Sequence, residues 1–349
     1  MSKKRPQEPK RPFSYEEREV VFTNHRDGTV RNGTLTVPEG EGTFPAAVLI
    51  TGSGAHNRDE AILGHKPFLV IADYLTRAGI AVLRYDDRHY KMKPKKGLEF
   101  TADDFAGDAA AAVSFLQNEA CIDAACIGFI GHSEGGLIAP IAASLENSGV
   151  GYIIALAGPG ISGGAILIQQ AEDFHKKKTD VAFTREWLQA LSNEVDRDKR
   201  RELLRETAIG IYGRFSVINR LKVRLAAPLL CSPWYYEFLR SEPAVFWKKV
   251  SCPIFALFGE NDVQVHAKEN SEAMRAALEE GGNTRYSIKI VEGANHLFQR
   301  SGLPVAQSLR QLYMEYYKTS ETIAEDVLQD MAAWIQSISA KVKTGKRAS

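Results

Sequence analysis

Cys126-Ile-Gly-Phe-Ile-Gly-His-Ser-Glu-Gly-Gly136 carries an apolar run straight into a serine flanked by glycines. The run Ile127-Gly-Phe-Ile130 has no polar alternation, as expected of a strand buried on both faces, and a helical pattern continues from Gly136. Gly131-His-Ser-Glu-Gly135 fits G-x-S-x-G. Such a stretch predicts a tight strand-to-helix turn that strains the serine backbone and presents its hydroxyl above a sheet, with small flanking residues letting chains pass closely. The helix N-terminus behind it favours negative charge on a nearby oxygen. Ser133 is therefore the candidate nucleophile; the plainer alternative is a serine that caps a helix.

Working outward, Ala46-Ala-Val-Leu-Ile50, Ile80-Ala-Val-Leu-Arg84, Tyr152-Ile-Ile-Ala-Leu156, Ile254-Phe-Ala-Leu-Phe258 and Tyr286-Ser-Ile-Lys-Ile-Val291 read as further strands. They alternate with helical segments around residues 66–78, 101–118, 268–280 and 321–338, which predicts an α/β fold with a mostly parallel sheet covered by helices. Thr101 with Asp104 is a helix start signal. Upstream, Glu19-Val-Val-Phe-Thr23 and Thr34-Leu-Thr-Val37 flank a turn region over residues 24–33 and predict an antiparallel hairpin. Between Leu156 and Ile254 no strand is legible, and the segment is too long for a simple crossover. Residues such as Ile166, Leu167, Trp187, Leu188, Leu191, Leu203 and Leu204 recur there at helical spacing, so residues 161–247 are expected to form a helical cap inserted into a core domain of residues 14–160 and 248–340. Residues 1–13 and 341–349, basic and without apolar periodicity, are expected to be disordered tails.

A serine hydroxyl needs a base, and the base an orienting acid. Phe258-Gly-Glu-Asn-Asp262 and Gly293-Ala-Asn-His296 each follow a strand, at the sheet edge where open α/β sheets place their sites. Asp262 is the expected acid, with Glu260 its local competitor, and His296 the expected base. Of the eight histidines, His132 sits too close to Ser133 to reach its hydroxyl, His25, His56, His65, His89 and His175 fall in loops or the cap, and His266 reads as a surface residue. The turn Thr51-Gly-Ser-Gly54 can aim an amide at the point Ser133 faces, so Ser53 and Glu134 are the expected pair of oxyanion donors.

The chain has 349 residues and a formal net charge of +1, which gives no electrostatic argument for nucleic acid or an anionic membrane as partner. Its 44% apolar and 25% charged residues are ordinary globular values and exclude a disordered or fibrous chain. Cys121, Cys126, Cys231 and Cys252 show no C-x-x-C spacing, which favours a reducing compartment over a disulfide scaffold or zinc site. No apolar run is long enough to span a bilayer, and the charged N-terminus is followed by no signal-like apolar core, so a cytoplasmic address is expected.

With these motifs in hand, the chain resembles an α/β-hydrolase of the bacterial carboxylesterase branch, acylaminoacyl-peptidase-like or serine-aminopeptidase-like. The likeness rests on Leu49-Ile-Thr-Gly-Ser-Gly54, Asn57-Arg-Asp-Glu60, Gly64-His-Lys-Pro67, Tyr85-Asp-Asp-Arg88, Gly131-His-Ser-Glu-Gly-Gly136, Ala157-Gly-Pro-Gly160, Ser232-Pro-Trp234, Gly259-Glu-Asn-Asp262 and Asn295-His-Leu-Phe298. It implies about eight strands with a helical cap, a Ser133, Asp262 and His296 triad, oxyanion donors at Ser53 and Glu134, no cofactor or metal, and a small-molecule ester as substrate. Amide or peptide cleavage is the alternative chemistry, and a non-catalytic binding protein of the same fold the alternative class; assembly into a homo-oligomer is left open. The sequence departs from the family where His89-Tyr-Lys-Met-Lys-Pro-Lys-Lys-Gly97 replaces a small, glycine-rich turn, a segment read mainly as a solvated loop. In Ser232-Pro-Trp-Tyr-Tyr-Glu-Phe238, the residues Trp234, Tyr235 and Tyr236 are candidates to wall an acyl pocket.

Overall fold

The chain opens with an antiparallel hairpin, β1 (Tyr15–Asn24) and β2 (Thr29–Pro38), paired along its whole length. Strands and helices then alternate as β3 (Phe44–Ile50), α1 (Pro67–Arg77), β4 (Ala81–Tyr85), α2 (Pro94–Gly97), α3 (Ala102–Gln117), β5 (Ile122–His132), α4 (Glu134–Ala143) and β6 (Tyr152–Leu156). The described residues that follow form α5 (Gly163–Phe174), α6 (Lys178–Leu191), α7 (Arg197–Tyr212), α8 (Val217–Leu230), α9 (Pro233–Arg240) and α10 (Pro243–Trp247). The chain closes with β7 (Ile254–Gly259), α11 (Ala267–Glu280), β8 (Tyr286–Val291), α12 (Leu309–Lys318) and α13 (Glu325–Lys343). The structure is a computed structural model and describes residues 5–174, 178–191, 194–213 and 217–344.

All eight strands join one sheet in the order β1-β2-β4-β3-β5-β6-β7-β8, antiparallel as far as β4 and parallel from there to β8. The unalternating apolar strands read from the sequence are those buried on both faces: every residue of β4, β6 and β7 is buried. One face packs against α3, α4 and α11, with Phe129, Leu137, Ile153 and Met274 at its centre. The other packs against α1 and α13 through Phe68, Ile71, Tyr152 and Met331. Each such aliphatic or aromatic side chain contributes roughly 1.5–3 kcal/mol by leaving water, so the two layers hold the strand ends, and the loops leaving them, in fixed relation. The helices between β6 and β7 have a core of their own around Trp187, Leu191, Leu204, Tyr235 and Tyr236.

Four expectations are corrected. Thr29–Gly33, read as part of a turn, is strand, because Gly33 pairs with Val20 on one side and Tyr85 on the other; only the Asp27-Gly28 corner remains, with Gly28 at φ +74°. Helix α12 was not anticipated. The N-terminal segment from Arg5 is hydrogen-bonded onto the body: Arg5 donates to the carbonyls of Leu63 at 3.0 Å and Tyr317 at 3.2 Å, and Gln7 Oε1 accepts from the Thr322 N–H at 2.5 Å. The C-terminal tail begins later than expected, since α13 runs on to Lys343. Residues 1–4 and 345–349, and His175, lie outside the described residues.

The close approach of α4 to the end of β6 depends on glycine. A Cβ on Gly136 would lie 2.5 Å from the Gly158 Cα, backbone that cannot swing aside. Gly136→Ala is therefore expected to lower unfolding free energy by about 1–3 kcal/mol in urea titrations. Gly210→Ala in α7, where nothing lies within 4 Å, is expected to raise it by up to about 1 kcal/mol. Equal effects at the two positions would show that the contact does not constrain α4.

Candidate active site

Strand β5 ends at His132 and α4 begins at Glu134, so one residue makes the whole reversal. Ser133 does so at φ +53° and ψ −119°, a conformation that costs a non-glycine residue about 1–3 kcal/mol. Its N–H donates to the Leu156 carbonyl at 2.8 Å, anchoring the turn to β6. The Ser133 side chain makes no capping hydrogen bond to α4, which removes the plain reading of the serine as a helix cap.

The loops after β7 and β8 meet beside this turn. Asp262 is buried and accepts the N–H groups of Gln264 at 2.7 Å and Val265 at 2.9 Å on Oδ1, while Oδ2 receives Nδ1 of His296 at 2.7 Å. A carboxylate anchored by two backbone donors fixes the imidazole ring and leaves its Nε2 for another partner. The competitor Glu260 turns away and accepts from the Gly293 N–H at 2.8 Å. Asn295 braces the loop, accepting from the Leu297 and Gln299 amides and donating to Glu315 of α12 at 3.0 Å. The unexpected helix thus supports the histidine loop.

The turn after β3 passes on the other side of Ser133: a Cβ on Gly52 would lie 3.2 Å from the Ser133 Cβ. The Gly52 N–H is taken by Glu60 Oε1 at 2.7 Å, whereas no acceptor among the described residues engages the Ser53 N–H. Ser133, Ser53, Glu134 and His296 all line one cavity of about 300 Å³, with Ile166, Leu167, Trp234 and Phe238 supplying much of its apolar wall.

Two groups that the sequence reading passed over connect these loops. Glu60 and His132 are both buried; His132 Nδ1 meets Glu60 Oε1 at 2.9 Å, and Nε2 faces the His296 carbonyl at 3.1 Å. Burial alone would raise the Glu60 pKa, but the charge and hydrogen bond of His132 outweigh it and hold the carboxyl below its ordinary value. Burial likewise disfavours the His132 cation, yet Glu60 and the His296 carbonyl raise its pKa overall. Glu60 therefore ties the Gly52 turn to β5, and His132 ties β5 to the loop that carries His296. The acid in Asn57-Arg-Asp-Glu60, so close behind the Gly-Ser-Gly turn, was the available signal.

Other predicted residues separate. Trp234 lines the cavity and donates from its indole N–H to Glu134 at 2.8 Å. Burial raises the Glu134 pKa, partly offset by hydrogen bonds from Ser53 and Trp234. Tyr235 and Tyr236 do not line the cavity; they pack in the cap core, where Arg200 lies over the Tyr236 ring at 4.4 Å. Their helical phase turns them away from Trp234 and Phe238. His266 is half-buried rather than a surface group and meets Asp173 of α5 at 2.6 Å. In the departing segment, Arg88 is buried against Asp108 at 2.7 Å and His89 is pushed down to about 4, chiefly by burial, while Lys91, Lys93 and Lys96 are exposed. Arg58 pairs with Asp86 at 2.9 Å and Asp59 with Arg84, so neither faces the cavity. Among the described residues, no group of three or more His, Cys, Asp and Glu is disposed to hold a metal, and no helix is long and apolar enough to cross a membrane.

Residues 47–307 match the model of the Alpha/beta hydrolase family, most of the chain. The chain is 26% identical over 325 residues to Esterase EstD of Thermotoga maritima, covering 93% of itself and 68% of that protein. Its fold is similar to that of a hypothetical protein from Pseudomonas aeruginosa (TM-score 0.57, 17% identity, 97% and 98% of the two chains). It is similar also to Est1E from Butyrivibrio proteoclasticus (TM-score 0.52, 16% identity, 93% and 99%). The chain belongs to the alpha/beta hydrolase family.

The buried pair makes a pH signature. The raised His132 pKa adds stability that is complete below its ordinary 6.5 and is lost as pH rises through the folded value. The lowered Glu60 pKa adds stability that is complete above its ordinary 4.5 and is lost as pH falls through the folded value. Denaturant unfolding of the native chain should accordingly show both contributions in full only between those two values. Glu60→Gln should remove the acid limb, lower stability within that window and reverse the other limb, because burial then keeps His132 neutral and the unfolded chain takes up its proton as pH falls through 6.5. An unchanged pH dependence in the variant would mean the pair is not ionised.

Proposed function

We propose that this hydrolase-family chain is a carboxylesterase that works through an acyl-enzyme on Ser133, with His296 as general base and Asp262 holding the imidazole. The observation that carries the reading is the 2.7 Å contact between Asp262 and His296 Nδ1, made where His296 and Ser133 line the same cavity. His296 Nε2 takes the hydroxyl proton as the serine oxygen attacks the ester carbonyl. The oxyanion is received by the amides of Ser53 and Glu134, the second at the N-terminus of α4. The protonated imidazole returns its proton to the departing alkoxide, and water, activated by the same ring, then releases the acid. Similarity to a protein named as an esterase supports ester rather than amide as the bond cleaved, and the apolar wall of Ile166, Leu167 and Phe238 suits a hydrocarbon acyl or alcohol group.

Ser133→Ala should lower turnover of p-nitrophenyl butyrate by on the order of 10⁶, and Asp262→Asn by about 10⁴, with thermal unfolding retained. The native chain should be labelled at Ser133 by a fluorophosphonate and should hydrolyse the ester faster than the matching anilide. Substantial turnover by Ser133→Ala would refute the assignment.

A further inference from the structure

Beyond the catalytic cavity lies a second one of about 340 Å³. Its floor is one face of α4, formed by Glu134, Leu137 and Ile141 at positions i, i+3 and i+7, so it runs from the turn after Ser133 along the helix for roughly 12 Å. The start of α3 and residues Val245 and Phe246 of α10 form the far walls. Only Glu134, Trp234 and Phe238 line both cavities. Trp234 and Phe238 stack at 5.7 Å with their planes 9° apart, and the indole N–H is latched to Glu134 at 2.8 Å, so this aromatic pair is the partition between the two spaces.

The geometry points to the second chamber as the distal part of the acyl site, taking the aliphatic end of a long-chain acyl group once the Trp234 indole swings off Glu134; this rests on the esterase reading given above. Three features choose that occupant. Beyond Glu134 the floor is hydrocarbon, from Leu137 and Ile141, and Ala102, Val245 and Phe246 carry apolar surface around it. Glu237 and Glu242 stand at the polar edge against Arg240, while Asp103 there is paired with Arg26 at 3.0 Å, so a free carboxylate or phosphate entering from outside still meets net negative charge. The chamber also adjoins the nucleophile through the partition, so a neutral chain reaches it methyl end first from a carbonyl at Ser133. Trp234 is then a specificity-determining residue that sets chain length: closed, it limits the site to short acyl groups; open, it joins the two volumes.

The quantity to measure is the kcat/KM ratio of p-nitrophenyl decanoate to p-nitrophenyl butyrate. Each methylene that leaves water strengthens binding about threefold to fourfold, so burying two or more changes the ratio by about tenfold or more. Trp234→Ala should raise the ratio by at least that factor. Adding Val245→Trp, which fills the chamber from its solvent side, should bring the ratio back to within about twofold of the native value; Ile141→Trp does the same from the floor should the first double variant not fold. A raised ratio that neither filling substitution lowers would place the chain elsewhere and overturn the proposal, as would a ratio that Trp234→Ala leaves unmoved.

Binding of methyl decanoate to the Ser133→Ala/Trp234→Ala double variant, in which the partition is removed, read by calorimetry, separates this from the catalytic assignment. Val245→Trp should weaken that binding about tenfold by excluding two or more methylenes. Binding lost on filling while Ser133→Ala keeps native turnover would retain the chamber and reject Ser133 as nucleophile. Turnover abolished by Ser133→Ala with binding indifferent to filling would do the reverse.

Discussion

Everything in the site is organised by one backbone reversal. Ser133 alone converts the central strand β5 into α4, and its positive φ is tolerated because the surroundings leave the chain no easier path. Its N–H is fixed to β6, and a Cβ on Gly131 would lie 2.2 Å from the Gly135 carbonyl, so side chains on either flank would force the turn open. The same reversal places Ser133 and Glu134 together on the lining of the cavity. A looser turn would keep the fold and lose the convergence.

Four buried carboxyl groups crowd this small volume, and each is answered differently. Asp262 has two backbone donors and an imidazole, and Glu60 has an imidazole and a backbone donor. Glu134 has only neutral donors, the indole of Trp234 and the hydroxyl of Ser53, and Asp87 has only the Thr51 hydroxyl at 2.7 Å and the His56 N–H at 2.8 Å. The charge of His132 holds the Glu60 carboxyl low; at Glu134 and Asp87 burial pushes the carboxyl up, strongly so at Asp87, with the neighbouring charges of Glu60 and Glu134 adding to the push. The division limits the negative charge gathered around the Ser133 turn.

The legible part of this arrangement was whatever depends on local pattern. The continuous apolar runs at residues 46–50, 152–156 and 254–258 announced buried parallel strands, and the spacing of small residues around Ser133 announced the turn, because both are written in consecutive residues. Asp262 and His296 were readable from their places just after strands. The Glu60–His132 bridge was not, since 72 residues separate partners whose meeting depends on how two loops pack. Arg5 went unread for the same reason: its partners are carbonyls 58 and 312 residues away, which no side-chain pattern encodes. Among the aromatic residues of α9, composition could not tell Trp234 from Tyr235 and Tyr236; only helical phase against the core decides which ring meets the cavity and which the cap interior.

Glu134 joins the two halves of the problem. Its backbone directly follows the Ser133 turn, and its side chain, buried and held by Trp234, is the polar link from that turn to α9. A cap that shifted relative to the sheet would have to break this hydrogen bond and leave a buried carboxyl with one donor fewer, at a cost of about 1–3 kcal/mol. The position of the aromatic wall and that of the first residue of α4 are therefore tied through Glu134. Changes that reshape the cavity through Trp234 act on the Ser133 turn as well, and the two are coupled through the Glu134 side chain rather than through the cap as a whole.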